Sequence, residues 1–218
     1  MQKSKHLLEN REDAALKLID VMPMARIKEE EWAFVAVSKG GLDLAYKLRG
    51  KFKNSLEILF SEGIMAPHNS ECEVARVSET EEIVVHEKLI ASFEIKYDYI
   101  YGEAHRNHEE DILSYIYQYR KGKPFPSMKD QIVLLIDDGT ETGAKFLTAI
   151  KTILAMHPKA IYLAVPVIPN DVLEILEPFA DDVYYLYSID DFVTTSLYYK
   201  ELERISEEQI EILLEDRL

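Results

Sequence analysis

Apolar residues in this chain fall into short unbroken runs separated by stretches of helical spacing. Trp32 to Val37 is such a run; it stops at Ser38-Lys39-Gly40-Gly41, after which LDLAYKLRGK returns to helical spacing, so a strand, a glycine turn and a helix are expected. Upstream, Asn10 precedes REDAALKLIDVM, with acids in the first turn and Pro23 just beyond the end, the pattern of a capped covering helix. Ser55 to Phe60 and Glu82 to His86 read as further strands, and the polar stretch between them, with Gly63, Pro67 and Asn69, as irregular or hairpin-like. Ile90 to Arg120 has a partial helical period and reads as one long exposed helix, ended by Lys-Gly-Lys-Pro-Phe-Pro at 121–126.

The last third alternates most clearly. Ile132 to Ile136, Ala160 to Val165 and Asp182 to Tyr187 are strand-like, with helical patterns at Gly143 to Met156 and Asn170 to Leu176 between them. That order implies a parallel sheet with right-handed crossovers and an α/β architecture. Ser206 to Glu215 carries a helix-start signature and should be a terminal helix. The chain shows neither repeat nor low-complexity tract, and its 218 residues suit a single domain spanning 1–218.

Composition narrows the partners. A formal net charge of -15 repels a nucleic-acid backbone, so no nucleic acid is expected to bind. No apolar run approaches the ~20 residues of a membrane span, and MQKSKHLLENRED has no apolar leader core, so the expected location is cytoplasmic, away from any membrane. Cys72, the single cysteine, excludes an internal disulfide and a thiolate-rich zinc site, and reads as a partly buried thiol.

Candidate chemistry gathers where the strand Val133-Leu134-Leu135-Ile136 meets Asp137-Asp138-Gly139-Thr140-Glu141-Thr142-Gly143-Ala144-Lys145. A helix N-terminus offers unpaired N–H groups and partial positive charge, and small residues there let a phosphate sit against the backbone. Paired carboxylates at the carboxyl end of a strand can accept hydrogen bonds from a vicinal diol, at the edge where open α/β sheets bind ligands. Diol and phosphate together describe ribose 5-phosphate. The competing reading, which the residues leave open, is that Asp137 and Asp138 cap the next helix while Gly139 and Gly143 make the turn.

The segment resembles the binding motif of the type I phosphoribosyltransferases, in which apolar residues, two acids and a small-Thr-Gly turn follow one another; Ile136-Asp137-Asp138 and Thr142-Gly143-Ala144 carry the match. The likeness extends from about Asn10 to the C-terminus: Ser38, Lys39, Gly40 and Gly41 resemble the pyrophosphate loop, GIMAPHN at 63–69 a Gly-x-x-x-Pro-x-Asn stretch, and YRKGKPFP at 119–126 the basic run before the binding strand. What the resemblance implies is a mainly parallel sheet flanked by helices, with a smaller hood built from the N-terminal, 61–90 and C-terminal segments. It further implies an enzyme of nucleoside metabolism that moves the phosphoribosyl group from phosphoribosyl pyrophosphate (PRPP) to a nitrogen base with Mg²⁺, or a non-catalytic binder of PRPP or a ribose 5-phosphate-containing nucleotide. On that reading Asp137 and Asp138 hold ribose hydroxyls or ligand-borne Mg²⁺, Gly139 to Lys145 hold the 5-phosphate, and Lys39 sits by the leaving pyrophosphate. By position alone, at a strand end on the expected ligand edge, the backbone at Val167 and Ile168 is the candidate for the acceptor side. A homodimer stays open.

The chain departs from the family pattern in two stretches. Glu141 stands where the family has a small residue and brings a carboxylate to the phosphate, with Lys145 at the family's final Thr or Ser, and Ser61-Glu62 stands where related chains carry Arg-Lys. Elsewhere, His105 and His108 at i, i+3 lack the i, i+4 spacing of a zinc peptidase helix. Tyr184, Tyr185, Tyr187, Tyr198 and Tyr199 read first as core and second as a stacking surface for a base.

Overall fold

A computed structural model describes residues 6–50, 52 and 54–215. Helices α1 (Arg11–Val21) and α2 (Met24–Glu29) lead into β1 (Ala33–Ala36), α3 (Lys39–Arg49) and β2 (Leu56–Ile58). Three strands follow, β3 (Ser61–Ala66), β4 (Asn69–Ser78) and β5 (Ile83–Val85), then α4 (Glu87–Ser92) and α5 (Tyr97–Asn107), which runs through a π turn at His108–Ile112 into α6 (Leu113–Arg120). The chain ends in β6 (Ile132–Ile136), α7 (Ala144–Leu154), β7 (Ala160–Pro169), α8 (Asn170–Leu176), β8 (Asp182–Ile189) and α9 (Glu207–Glu215).

The main sheet is parallel, in the order β2-β1-β6-β7-β8, and a separate antiparallel sheet has the order β3-β4-β5. Central strands β1 and β6 are buried along their whole length, as helices on both faces require. Their alternation splits the core: Phe34, Ala36, Leu134 and Ile136 pack into the cluster on one face, Val35, Val37, Val133 and Leu135 into the cluster on the other. The expected α/β class with a central parallel sheet flanked by helices is the architecture found, with a small antiparallel sheet beside it.

Local capping follows the sequence. Asn10 accepts from Asp13 N–H at the start of α1, and Ser206 and Gln209 bond reciprocally at the start of α9. Among the described residues no helix is long and apolar enough to cross a membrane.

Several boundaries differ from expectation. The strand read at Ser55 to Phe60 shortens to Leu56–Ile58, and Ser61 onward turns into the second sheet, where the middle piece takes the hairpin form of its two expected alternatives. Ile90 to Arg120 is not one helix: α4 ends at Phe93, and Glu94 takes the left-handed conformation, φ 51°, which no helix continues through. Lys39, Gly40 and Gly41, read as a loop, form the first turn of α3 behind a Ser38 cap, because Ser38 Oγ takes the Gly41 N–H at 2.9 Å. Strand β7 runs on to Pro169 rather than stopping at Val165, since β8 pairs with it up to Ile189.

Candidate functional site

Strand β6 delivers its two acids to the carboxyl edge of the sheet, beside the N-terminus of α3 and below the turn into α7. Asp137 is fully buried. Its Oδ1 accepts from Ser38 Oγ and from the Asp138 N–H at 2.9 Å, whereas Oδ2 meets no hydrogen-bond donor among the described residues and lies 3.7 Å from Lys145 Nζ. Asp138 retains 13% side-chain exposure, and its Oδ2 pairs with Arg11 Nε at 2.8 Å. Burial, then the neighbouring Asp137 charge, pushes the Asp138 carboxyl up to about 6 against the pull of Arg11.

Close approach here needs glycine. A Cβ on Gly40 would lie 2.1 Å from Asp138 Oδ2, and one on Gly41 would lie 2.4 Å from the Ile136 carbonyl oxygen. So the Ser38-Lys39-Gly40-Gly41 segment does meet the acidic pair, through a helix start instead of a loop. Lys39 is the exception: its Nζ sits 5.3 Å from the Tyr115 ring, away from the cleft, because the first helical turn aims it at α6.

The segment from Gly139 to Gly143 is not helical, and within it Glu141 and Thr142 are exposed while Gly139, Thr140 and Gly143 are buried. Thr140 N–H donates to the Val167 carbonyl at 3.3 Å, Gly143 N–H to Thr140 Oγ1 at 3.1 Å, and Ala144 N–H to Thr142 Oγ1 at 3.3 Å. Gly143 turns the chain into α7 at φ 73°. No bond engages the amides of Glu141 and Thr142 among the described residues, which leaves two donors at the mouth of a helix N-terminus. Glu141 faces the segment after β8, accepting from Thr194 Oγ1 at 2.6 Å and Thr195 N–H at 3.1 Å.

A cleft of about 660 Å³ opens over this loop. Asp137 to Thr142, Ala144 and Lys145 form one wall; Met65, Cys72, Glu73 and Arg76 of the small sheet form another, and Thr194 to Ser196 a third. A larger groove of about 710 Å³ lies between the 121–126 segment and α9, but it mixes lysines with glutamates and presents no comparable helix start, so the chemistry belongs to the smaller cleft.

Of the two cations that line this cleft among the described residues, Lys145 keeps an exposed side chain and Arg76 is already engaged. Arg76 donates through Nε and Nη2 to both Glu73 oxygens, at 2.9 and 2.6 Å, and through Nη1 to Ser61 O and Oγ at 3.1 Å each. Burial pushes the Glu62 carboxyl above its ordinary range, with Arg76 pulling the other way. The side chains of Val167 and Ile168, whose backbone is the acceptor-side candidate, are fully buried inside β7, and the Val167 carbonyl accepts from the Thr140 N–H at 3.3 Å. Of the tyrosines, Tyr184 stacks with Tyr162 in the core, and Tyr199 is buried with its hydroxyl donating to the Asp138 carbonyl at 2.6 Å. His108 sets its Nε2 3.2 Å from the Glu79 carbonyl oxygen, away from His105.

Arg11, Thr194, Thr195 and Arg76 belong to the site and were not legible as site residues, and Tyr199, read as core or as a stacking ring, reaches the site through its hydroxyl. For Arg11 alone there was a trace in the sequence: a cation in a first helical turn, where acids are favoured.

Comparison with known proteins places the chain among similar architectures. No family model matches. Two Mycobacterium tuberculosis proteins, each carrying the name "Putative phosphoribosyl transferase", are 20% identical over 209 residues, 96% of this chain and 46% of their own length. The chain thus spans about half the length of the curated relatives it matches. A Thermus thermophilus protein of known crystal structure is 24% identical, with a TM-score of 0.76 over 96% of this chain and 98% of the other, and shares the fold. The likeness to phosphoribosyl transferases carried by the motifs extends, in the two curated relatives, over nearly the whole chain.

Proposed function

We propose that this chain binds a 5-phosphoribosyl group at the Asp137–Lys145 turn and transfers it from PRPP to a nitrogen base. The observation that carries the proposal is the turn itself: small residues and two unengaged amides at the mouth of α7, directly above a buried acid pair, open to a cleft of about 660 Å³.

In this reading the Glu141 and Thr142 amides and Lys145 hold the 5-phosphate. Asp138, the acid with residual exposure, accepts from the ribose hydroxyls, and Asp137 supports it from behind through its bond to the Asp138 N–H. The bond from C1 to the pyrophosphate oxygen breaks, its electron pair leaving with pyrophosphate. A ring nitrogen of the base forms the new bond to C1, and that nitrogen's proton passes to solvent. Positive charge that builds on the sugar is stabilised by the acid pair, so the chain's own contribution is orientation and electrostatics. Among the described residues no three His, Cys, Asp or Glu side chains converge to cage a metal. The residues fit Mg²⁺ only as an ion brought in on donor oxygens beside Asp137 and Asp138, where it would neutralise the leaving group.

Saturation of Arg76 by Glu73 and Ser61 favours a second reading, a binder of PRPP or a ribose 5-phosphate nucleotide without turnover. One experiment separates the two: incubation with PRPP, Mg²⁺ and a panel of purine and pyrimidine bases, reading nucleotide formation and pyrophosphate release, beside titration calorimetry with ribose 5-phosphate. Transfer to any base supports the enzyme; binding with no product from any base leaves the binder; absence of binding overturns both.

A further inference from the structure

Arg11 reaches Asp138, a residue lining the cleft, from the far end of the sequence, and the phosphate-loop reading gives it no task. It is the first residue of α1, where the helix dipole disfavours a cation, and its side chain is only 10% exposed. A buried guanidinium in that place is costly unless paired, so its position answers to its partner and not to its helix. Nε donates to Asp138 Oδ2 at 2.8 Å and Nη1 to the Glu203 carbonyl at 2.8 Å.

These bonds act on the orientation of one carboxylate. Arg11 occupies Oδ2, the absent Cβ of Gly40 lets α3 close against the whole carboxylate, and Tyr199 fixes the main chain of Asp138 through its carbonyl at 2.6 Å. Among the described residues no cation, amide or hydroxyl donates to Asp138 Oδ1; the Asp137 carboxyl lies beside Asp138, and Asp138 lines the cleft. One carboxylate oxygen is therefore anchored while the other stays available to a ligand.

We propose that Arg11 is a positioning residue for Asp138, holding the free oxygen where it accepts from a ribose hydroxyl, so that the cleft prefers ribose over deoxyribose. The proposal rests on the ribose 5-phosphate reading above. A pre-oriented acceptor gives up little freedom on binding, and a site built to pair a hydroxyl discriminates against the analogue that lacks it. Without Arg11 the carboxylate can turn about its Cβ–Cγ bond and the preference fades, while the phosphate contacts, made by the 139–145 turn, persist.

The test is titration calorimetry of the full chain and of Arg11→Met and Arg11→Lys with ribose 5-phosphate and with 2-deoxyribose 5-phosphate, beside thermal melts. The unsubstituted chain is expected to prefer ribose 5-phosphate by about tenfold. Arg11→Met should bring that ratio near one with the deoxy affinity held within about twofold, and Arg11→Lys should fall between. Equal loss of affinity for both sugars in Arg11→Met would mark a scaffold role and overturn the proposal, as would an unchanged ratio. Should Arg11→Met not fold, Arg11→Lys decides alone, since an unchanged ratio there overturns the proposal and a reduced one supports it. If the unsubstituted chain binds neither sugar, the ribose 5-phosphate reading falls; if it binds both without preference, only the role of Arg11 falls.

Discussion

Thr194 Oγ1 donates to the Glu141 carboxylate at 2.6 Å, tying the turn between β6 and α7 to the segment after β8. The carboxylate that looked like an intruder beside a phosphate is turned toward Thr194 and the Thr195 N–H, so its charge is partly answered within the chain. It remains an anion near the ligand, however, and it holds two donors that a phosphate could use. Glu141→Ala is therefore expected to bind ribose 5-phosphate tighter, by about three- to tenfold, the effect of removing a like charge in a partly solvated cleft. Calorimetry checks this; weaker binding would mean that the clasp shapes the site.

Asp138 gives a pH prediction whose sign is unusual for an acid. Its carboxyl rises to about 6, above its ordinary value near 3.8, so between those values the folded chain binds more protons than the unfolded one. Stability from this group is fully present below about pH 4 and falls as pH rises toward about 6. Asp138→Asn, a stand-in for the protonated form, should melt higher than the unsubstituted chain at about pH 7.5 and lose that advantage by about pH 4.5. Thermal melts across pH read the crossover, and an advantage independent of pH would point to packing instead.

Much of the frame was legible because burial writes itself into the sequence as period. The runs at Ile132 to Ile136 and Asn170 to Leu176 kept their limits, since a doubly covered strand and a short amphipathic helix leave strong patterns. The helix expected from Ile90 to Arg120 did not, because the break at Glu94 depends on a single left-handed residue with no glycine or proline to announce it. In the site, Asp137 to Lys145 was readable as one continuous strand-to-helix turn. Arg11, Arg76 and Thr194 were not, since each reaches the cleft from a different element and only the tertiary fold brings them together. Burial of Val167 and Ile168 was hidden for a similar reason: the length of β7 is set by pairing with β8, not by its own residues.

Gly41 should be intolerant of any side chain. A Cβ there would fall 2.4 Å from the Ile136 carbonyl oxygen and 3.0 Å from Asp137 Cα, both backbone atoms that cannot swing aside. Gly41→Ala must push the start of α3 off the end of β6, at a cost of about 2–4 kcal/mol. Denaturant melts are expected to show that loss, and a change under about 0.5 kcal/mol would mean that the two elements approach less closely than described.

Glu79 and Arg120 supply the last test, because their pairing sits under the small sheet rather than in the cleft. Their side chains are 1% and 3% exposed, and the Arg120 guanidinium also lies over the rings of Phe60 and Phe125, at 5.0 and 5.6 Å. Glu79 further accepts from the Phe60 N–H at 2.9 Å, so one carboxylate joins the end of β4 to α6 and to the entry of β3. Glu79→Ala strands a buried cation and a backbone donor together, which should cost about 3–5 kcal/mol. Replacing both partners by apolar residues, Glu79→Leu with Arg120→Met, removes the stranded charge and should recover more than half of that loss. Since neither side chain lines the cleft, ribose 5-phosphate affinity of the double variant should stay within about threefold of the unsubstituted chain. A double variant as unstable as Glu79→Ala would show that the pair is held for geometry that apolar packing cannot replace.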